Sequence, residues 1–225
     1  MIADRLALAM PATPSEEYLQ PYRRALKRHG VSFESTLWRS REGQLLRFDI
    51  MIDLAGFEDC IVTDVGCGRG DFAARLLERR IPFRHFIGID ALPEMIRAAK
   101  ARGLARSDFH LHDVLADPKA LVTAAPDGSP PDYLCFSGTL NTMDENIARR
   151  LVKMAFLAAR QGVLFNYLSD RHHRRFADDN LDPARRFDTL AWLDWAMDLS
   201  SRVSFTQDYL DGHDATILIH HDDAD

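Results

Sequence analysis

The 225-residue chain lacks the features that mark several classes of protein. It has three cysteines, with no CxxC pair and no His/Cys ligand spacing, so we expect reduced thiols and no metal site. No segment approaches the roughly 20 apolar residues of a membrane span, and no signal peptide is recognisable. A net charge of −6 disfavours sequence-independent nucleic-acid binding. These absences predict a cytoplasmic protein without a membrane or nucleic-acid partner, and they leave its oligomeric state open.

Short apolar runs alternate with amphipathic helical patterns from residue 60 onward. The helical patterns lie near residues 71–80, 93–102, 117–124 and 143–160, the last with a capping box at Thr142 and Glu145. Strand, helix, strand repeated in this way predicts a parallel sheet covered by helices on both faces. The runs are CIVTDV, FRHFIGID, SDFHLHDV, DYLCFSG and GVLFNYL.

The two ends of the chain have a different pattern. Before residue 59 we expect two helices, one from a capping box at Thr13 to Gly30 and one from a Ser40 cap to Gly56. Near the other end, RVSFTQDYL and DATILIHH flank a short Asp-Gly-His turn, which predicts an antiparallel hairpin. A Trp-rich helix is predicted over 188–200, after a polar segment at 170–187 that is too long for a plain connection.

The stretch TDVGCGRGDF, residues 63–72, places three glycines directly after the first predicted strand. A turn from strand to helix exposes backbone N–H groups to a ligand, and glycine allows close approach or positive φ. A dinucleotide fingerprint G-x-G-x-x-G would need its third glycine at residue 71, which is Asp71. Asp64, two residues before the first glycine, would also repel a pyrophosphate. A nicotinamide-dependent oxidoreductase is therefore disfavoured.

The pattern D-x-G-x-G-x-G resembles the first motif of the class I S-adenosylmethionine-dependent methyltransferases. The methionine end of that ligand is cationic, so acidic surroundings suit it. The resemblance covers roughly residues 60–221 and implies an α/β fold: a doubly wound, mostly parallel seven-stranded sheet of order 3-2-1-4-5-7-6 with an antiparallel C-terminal hairpin. It also implies an N-terminal helical lid at 1–58 and a cofactor-binding domain at 59–225 with an insertion near 170–187.

The resemblance also implies roles for individual residues. Asp90 matches the carboxylate that holds the ribose hydroxyls, Asp113-Val114 the adenine contacts, and Ser137 the loop under the methionine moiety. Arg47 is either a holder of the methionine carboxylate or a plain helix-surface arginine. The cofactor-binding set is then Asp64, Gly66, Cys67, Gly68, Gly70, Asp90, Ala91, Asp113, Val114, Ser137 and Arg47.

The acceptor side of the predicted site carries weaker signals. SGTLN follows the fourth strand in place of the Asn/Asp-Pro-Pro-aromatic tetrapeptide of enzymes that methylate exocyclic amino groups of bases or glutamine side chains, so those substrates are disfavoured. His110 and His112 alternate along a strand and are interpreted as hydrogen-bonded histidines instead of metal ligands. The candidate acceptor-pocket residues are Tyr18, Tyr22, Trp38, Thr139 and Tyr167, and the candidate catalytic residues are His172, His173 and Asn141.

The basic segment RHHRR at 171–175 has two interpretations. It is either a solvated surface loop or a clamp for an anionic acceptor, with a histidine as proton acceptor. We therefore expect transfer of a methyl group from S-adenosylmethionine to an O, N or C nucleophile of a small molecule, which is anionic if the clamp interpretation holds. The alternatives are a methyltransferase acting on a protein or RNA, and a non-catalytic cofactor-binding relative.

Overall fold

In the computed structural model, which describes residues 16–222, seven strands form one sheet of order β3-β2-β1-β4-β5-β7-β6. The first five strands are parallel, and β7 runs antiparallel to both β5 and β6. This confirms the predicted strand order and the antiparallel hairpin. The strands are β1 Ile61–Val65, β2 His85–Asp90, β3 Ser107–Leu111, β4 Tyr133–Phe136, β5 Gly162–Leu168, β6 Val203–Thr206 and β7 Asp214–His220.

Within the described part of the chain, six α-helices flank the sheet. They are α1 Gln20–His29, α2 Arg41–Ala55, α3 Asp71–Glu78, α4 Pro93–Ala101, α5 Glu145–Ala158 and α6 Thr189–Leu199. The hydrophobic core has two layers, because alternate strand residues point to opposite faces. In β4, Tyr133 and Cys135 pack on the side of α2, α3 and α4, whereas Leu134 and Phe136 pack on the side of α5 and α6. Helices therefore cover both faces, as the alternating pattern predicted.

The N-terminal region contains the helices α1 and α2, and α2 contributes to the hydrophobic core. The predicted capping box at Thr13 lies outside the described residues, and α1 ends at Gly30, whose φ is 64°. Ser40 caps α2 by accepting a hydrogen bond from the Gly43 N–H, as predicted. Because Phe48, Met51 and Ile52 of α2 are buried in the core, α2 belongs to the layer that covers the sheet.

Three details differ from the sequence-based expectations. The predicted helix at 117–124 is a 3₁₀ helix, Pro118–Val122, which ends where the backbone of Thr123 becomes extended, with a ψ of 120°. The N-cap of α5 is Asp144, whose carboxylate accepts from the Asn146 N–H, and not Thr142. The connection between β6 and β7 is longer than a tight turn and contains the 3₁₀ helix Leu210–Gly212.

The segment 170–187 leaves the sheet after β5 and returns to it. It contains one 3₁₀ helix, Arg174–Phe176, and is closed by a parallel bridge between Ser169 and Phe187. Its position beside the end of β5 puts it at the carboxyl edge of the parallel strands, where open α/β sheets bind ligands. Among residues 16–222, no helix is both long and apolar enough to cross a membrane.

Candidate active site

The three glycines of the first turn lie at the carboxyl end of β1, and all have positive φ. A Cβ at Gly66 would lie 2.4 Å from the Thr139 hydroxyl, whereas a Cβ at Gly68 would meet no protein atom within 4 Å. A Cβ at Gly70 would lie 2.8 Å from the ring of Phe109 on β3. Gly68 therefore leaves open space beside a pocket, and Gly70 allows the start of α3 to pack closely on the sheet.

That pocket, here called the turn pocket, lies where β1, β2, β3 and β4 end. It brings together twelve of the residues that the sequence singled out. These are Tyr18, Tyr22, Trp38, Asp64, Gly66, Cys67, Gly68, Asp90, Ala91, Val114, Ser137 and Thr139.

Two buried carboxylates give the turn pocket its charge. Asp90 accepts hydrogen bonds from the backbone N–H of Gly68 and of Leu92, each at 2.9 Å. Asp64 is buried, and its Oδ1 has no hydrogen-bond partner within the described chain. Burial, together with the charges of Asp90 and Asp71, raises the pKa of Asp64 to about 8. Burial also raises the pKa of Asp90 to about 6, although its backbone hydrogen bonds oppose the change. The pocket is therefore suited to a cationic ligand.

The ends of β3 and β4 complete the floor of the pocket. Asp113 does not line it directly, because its Oδ1 accepts a 2.6 Å hydrogen bond from the Tyr18 hydroxyl. Asn166 of β5 fixes the loop after β4, since it donates to the Ser137 hydroxyl and accepts from the Gly138 N–H. This loop is therefore held rigidly beside the glycine turn.

The chain before α2 forms the roof. The Tyr22 hydroxyl donates to the Gly138 carbonyl at 3.2 Å, and the Trp38 ring lies so close to Gly138 that a Cβ there would be 2.4 Å from it. Burial raises the pKa of Tyr22 to about 12, so its phenol stays protonated as the donor. Together with Tyr18, these aromatic side chains connect the segment to the carboxyl edge of the sheet.

A second pocket, here called the side pocket, adjoins the turn pocket. Tyr22, Thr36, Trp38 and Gly138 line both. Its other walls come from the ends of β5 and β7 and from residues 179–184 of the segment after β5. Arg47 and Asn141 line the side pocket rather than the turn pocket. A molecule bound there would therefore lie next to a ligand of the turn pocket.

Several residues singled out in the sequence have other surroundings. The guanidinium of Arg47 forms two hydrogen bonds with the Asp214 carboxylate, at 2.5 and 2.6 Å. Asn141 bridges the Leu168 N–H and the Arg185 carbonyl. Tyr167 is buried among aromatic rings and lines neither pocket. Cys67 is also buried, which raises the pKa of its thiol well above the ordinary value and makes it a poor nucleophile.

The basic segment does not point into either pocket. His172 and His173 lie in the loop after β5, and His173 accepts a hydrogen bond from the Arg175 N–H. Arg171 pairs with Asp170, Arg175 pairs with Asp211, and Arg186 donates to the Ser169 carbonyl. None of the five arginines of the segment lines the turn pocket or the side pocket. The structure therefore favours the interpretation as a solvated surface loop.

The sequence reasoning gave no site role to two histidines that line the pockets. His112 follows β3 at the carboxyl edge and lines the turn pocket, next to Asp113. His213 precedes β7 and lines the side pocket. Because β7 is antiparallel, its first residue lies at the carboxyl edge of the parallel strands. The adjacent pair His213-Asp214 at the start of this strand could therefore have been predicted from the sequence to lie near the site. Within residues 16–222, no group of three or more His, Cys, Asp or Glu side chains could hold a metal ion.

Comparison with known proteins agrees with this geometry. Residues 62–162 match the family model described as a methyltransferase domain. No curated protein sequence matches the chain significantly. Among solved structures, magnesium protoporphyrin IX methyltransferase from Synechocystis PCC 6803, with bound SAH, aligns with a TM-score of 0.61 and 14% identity, over 91% of this chain and 94% of that one.

Two further structures have a similar fold. An O-methyltransferase family protein from Burkholderia thailandensis aligns with a TM-score of 0.62 and 17% identity, over 98% of this chain and 77% of that one. The small RNA methyltransferase HEN1 aligns with a TM-score of 0.61 and 12% identity, over 80% of this chain and 25% of that one. At these identities the likeness establishes the fold alone, and the acceptors of these proteins are not transferred to this chain.

The sheet order and the pocket at the glycine turn define a class I methyltransferase fold. Residues 62–162 match the methyltransferase domain, and a solved structure of the same fold holds bound SAH.

Proposed function

We propose that the chain transfers the methyl group of S-adenosylmethionine to a nucleophile of a small molecule bound in the side pocket. The observation that supports this best is the unpaired Asp64 carboxyl beside Asp90 in the turn pocket. A buried acidic group without a partner is costly, and a cationic ligand removes that cost. The methionine end of S-adenosylmethionine carries an ammonium and a sulfonium, so its charge fits this pocket.

We assign the cofactor contacts to the strand ends in order. Asp64 would accept from the methionine ammonium, and the open space at Gly68 would admit the ligand backbone. Asp90 would accept from the ribose hydroxyls, because each of its oxygens uses only one lone pair on a backbone N–H in the structure. Val114 would contact the adenine, and Ser137, with the N–H groups of its loop, would lie under the methionine.

The chain before α2 would act as a lid over the bound cofactor. Tyr18, Tyr22 and Trp38 all line the turn pocket, so they would contact a bound ligand. The lid corresponds to the described part of residues 1–40, since α2 is packed into the core. A closed lid excludes water and holds donor and acceptor in line, an alignment effect that is worth roughly 7–11 kcal/mol in favourable cases.

A small acceptor suits the side pocket. Its lining combines apolar groups such as Trp38 and Leu168 with the amides of Asn141 and Asn166. Both arginines of the described lining are paired, Arg39 with Asp179 and Arg47 with Asp214, so neither supports an anionic acceptor. A protein or RNA acceptor would instead require a surface that binds a macromolecule. A non-catalytic relative would bind the cofactor without transferring its methyl group.

The first test concerns the cofactor. We expect S-adenosylhomocysteine to bind and NADH not to bind in isothermal titration calorimetry. Asp90→Ala removes two charge-assisted hydrogen bonds to the ribose, each worth roughly 1.5–3 kcal/mol, so S-adenosylhomocysteine affinity should fall at least tenfold. Asp108→Ala is the control, because Asp108 lies at the exposed edge of β3 and pairs with His85 away from the turn pocket.

The outcomes separate the alternatives. NADH binding without S-adenosylhomocysteine binding would refute the cofactor assignment. Equal affinity in folded Asp90→Ala and in Asp108→Ala would move the ribose site elsewhere. Turnover of S-adenosylmethionine with small acceptors, and not with RNA or protein, would support the proposed acceptor class, and binding without any turnover would support the non-catalytic alternative.

A further inference from the structure

An unpaired strand edge lies at the end of the sheet that the C-terminal hairpin forms. Among the described residues, β6 is hydrogen-bonded to β7 alone, so its other side is open. The His220 N–H donates to the Arg202 carbonyl, which shows that the backbone groups of Arg202 point toward β7. Because these groups alternate in direction along an antiparallel strand, those of Val203 and Phe205 point away from the sheet. The open edge, here called the β6 edge, therefore presents N–H and C=O groups with which another strand can pair.

The β6 edge also carries an exposed aromatic ring. Phe205 is 39% exposed. Val203 packs against the core cluster that α6 covers, and side chains two residues apart share a face, so Phe205 lies on the same side of the sheet. Natural edges that stay unpaired are usually protected by charged side chains or proline. An exposed aromatic ring at this position therefore favours an edge that is covered by another strand.

Opposite charges flank Phe205 at equal separations along the chain. Arg202 lies three residues before it and Asp208 three residues after it, and both are exposed. In extended backbone both project to the face opposite the Phe205 ring, since each is an odd number of positions away. The Arg202 guanidinium donates to the His221 carbonyl at 3.1 Å, which positions it beside the edge. The β6 edge therefore has a basic start and an acidic end.

This pattern is complementary to itself in one orientation. When two copies of β6 pair antiparallel about a two-fold axis at Phe205, the two Phe205 residues face each other and Ser204 faces Thr206. Arg202 of each copy then lies opposite Asp208 of the other, which makes two ion pairs. The outward N–H and C=O groups of Phe205 also bond to each other in both directions. A register centred on Ser204 would place Arg202 opposite Thr206 and form neither ion pair, so the charges select the first register.

We propose that the β6 edge is the interface of a two-fold homodimer, in which two seven-stranded sheets join edge to edge in the register centred on Phe205. The occupant is a second copy of the chain, because the edge complements itself in backbone direction, aromatic ring and charge. The strand Val203–Thr206 is short, and interfaces below about 1,200 Å² in total are typically weak, so we expect a reversible dimer. The turn pocket lies at the ends of β1 to β4, away from this edge, so the dimer is independent of the proposed methyl transfer.

The first experiment measures association directly. Sedimentation velocity of the full chain, at concentrations up to about 100 μM, should show a wild-type monomer converting to a dimer. Phe205→Asp places like charges opposite each other on the axis, so it should raise the dimer Kd at least tenfold. Leu111→Asp is the matched control, because Leu111 is 50% exposed on β3 at the other edge of the sheet, and it should associate like the wild type. A wild type that stays monomeric at every concentration, or a Phe205→Asp variant that dimerises like the wild type, would overturn the proposal.

The second experiment tests the register by charge reversal. In Arg202→Asp two acidic groups face each other on each side of the axis, and in Asp208→Arg two basic groups do, so each variant alone should dimerise at least tenfold more weakly. An equimolar mixture of the two variants should form a heterodimer, because every acidic group then faces a basic one. Mixing cannot repair a folding defect, so recovery of the dimer is specific to contacts between chains. Unchanged association of the single variants, or a mixture that associates no better than they do, would overturn the proposal.

Amide hydrogen exchange, followed residue by residue in the wild type by NMR, locates the contact. Exchange at Phe205 should slow as the protein concentration rises, because its N–H becomes bonded to the second copy. Exchange at Ser204 should change less, because its N–H points toward β7 in the monomer as well. A dimer in which the exchange rate of Phe205 is independent of concentration would show that the copies meet at another surface, which would overturn the proposal.

Discussion

At the scale of single residues, the most informative side chain is Asp64, because folding moves its pKa far from the ordinary value. The folded pKa of about 8 lies above the ordinary value of 3.8, so the folded chain holds a proton that the unfolded chain releases. Stability of the ligand-free chain should therefore fall as pH rises from about 4 to 8. Asp64→Asn should remove this fall above about pH 6, and the remaining slope below pH 6 belongs to Asp90.

Urea unfolding of both chains at a series of pH values measures the effect. Parallel pH profiles for wild type and Asp64→Asn would show that Asp64 is not the group that titrates. Saturating S-adenosylhomocysteine should flatten the wild-type profile, because its ammonium provides the missing partner and favours ionised Asp64.

Most residues that the sequence singled out for a cofactor site lie together in the turn pocket, whereas few of the residues that line the side pocket were singled out. Asp64, Gly66 and Asp90 lie at the carboxyl ends of two neighbouring parallel strands, so a local pattern was enough. The ion pair of Arg47 and Asp214 joins residues 167 positions apart, and that contact depends on the strand order. Arg47 was recognised as a candidate ligand group, but no local pattern indicated that Asp214 would bind it.

At the scale of elements, we expect two glycines of the turn between β1 and α3 to have different roles, Gly68 in ligand binding and Gly70 in stability. Gly68→Ala places a methyl group in open pocket space at a φ of 53°, and Gly70→Ala places one against Phe109 at a φ of 73°. The left-handed backbone costs about 1–2 kcal/mol in either variant, and the clash with Phe109 adds roughly 1–3 kcal/mol in Gly70→Ala. Gly70→Ala should therefore unfold at lower urea, and Gly68→Ala should lose more affinity for S-adenosylhomocysteine.

Urea denaturation and calorimetry of the two variants check this division. Gly103→Ala is the matched control, because Gly103 also has a positive φ, 58°, and open space around its Cα, but lines neither the turn pocket nor the side pocket. It should lose stability to about the same extent as Gly68→Ala and keep its affinity for S-adenosylhomocysteine. If Gly68→Ala were the less stable variant and Gly70→Ala the weaker binder, the roles assigned to the two glycines would be wrong.

Elements were predictable where hydrophobic patterning was long and regular. All five parallel strands lie inside the predicted runs, and α2, α3 and α5 were located to within a few residues. The errors concern short elements and caps. The helix after β3 is only a 3₁₀ turn because the backbone becomes extended at Thr123. Asp144 competes with Thr142 because either side chain can accept from the first turn of α5.

At the scale of the whole molecule, the lid proposal predicts where the ligand changes dynamics. Tyr18, Tyr22 and Trp38 wall the turn pocket, so S-adenosylhomocysteine should stabilise the closed position of α1. Amide hydrogen exchange in Gln20–His29 should slow at least several-fold on binding, whereas α6 at Thr189–Leu199 should change little. Equal slowing of both helices would indicate global stabilisation and would contradict a separate lid.

The topology was predictable only through resemblance to a family. Periodicity in the sequence predicts strands and helices, but strand order depends on contacts between distant segments. The glycine motif indicated a resemblance to a family, and that resemblance supplied the strand order that the structure confirms. Neither periodicity nor the family resemblance predicted the side pocket, because its walls come from α2, residues 179–184 and the start of β7, which are far apart in the sequence.

The position of β7 has a consequence for how the chain folds. It is the last strand of the sheet along the chain, yet it lies between β5 and β6 and pairs with both. Until this strand is made on the ribosome, β5 has an open edge and β6 has no partner in the sheet. Such an edge can pair with another chain. We therefore expect nascent chains that end before Asp214 to depend on chaperones and to aggregate when released.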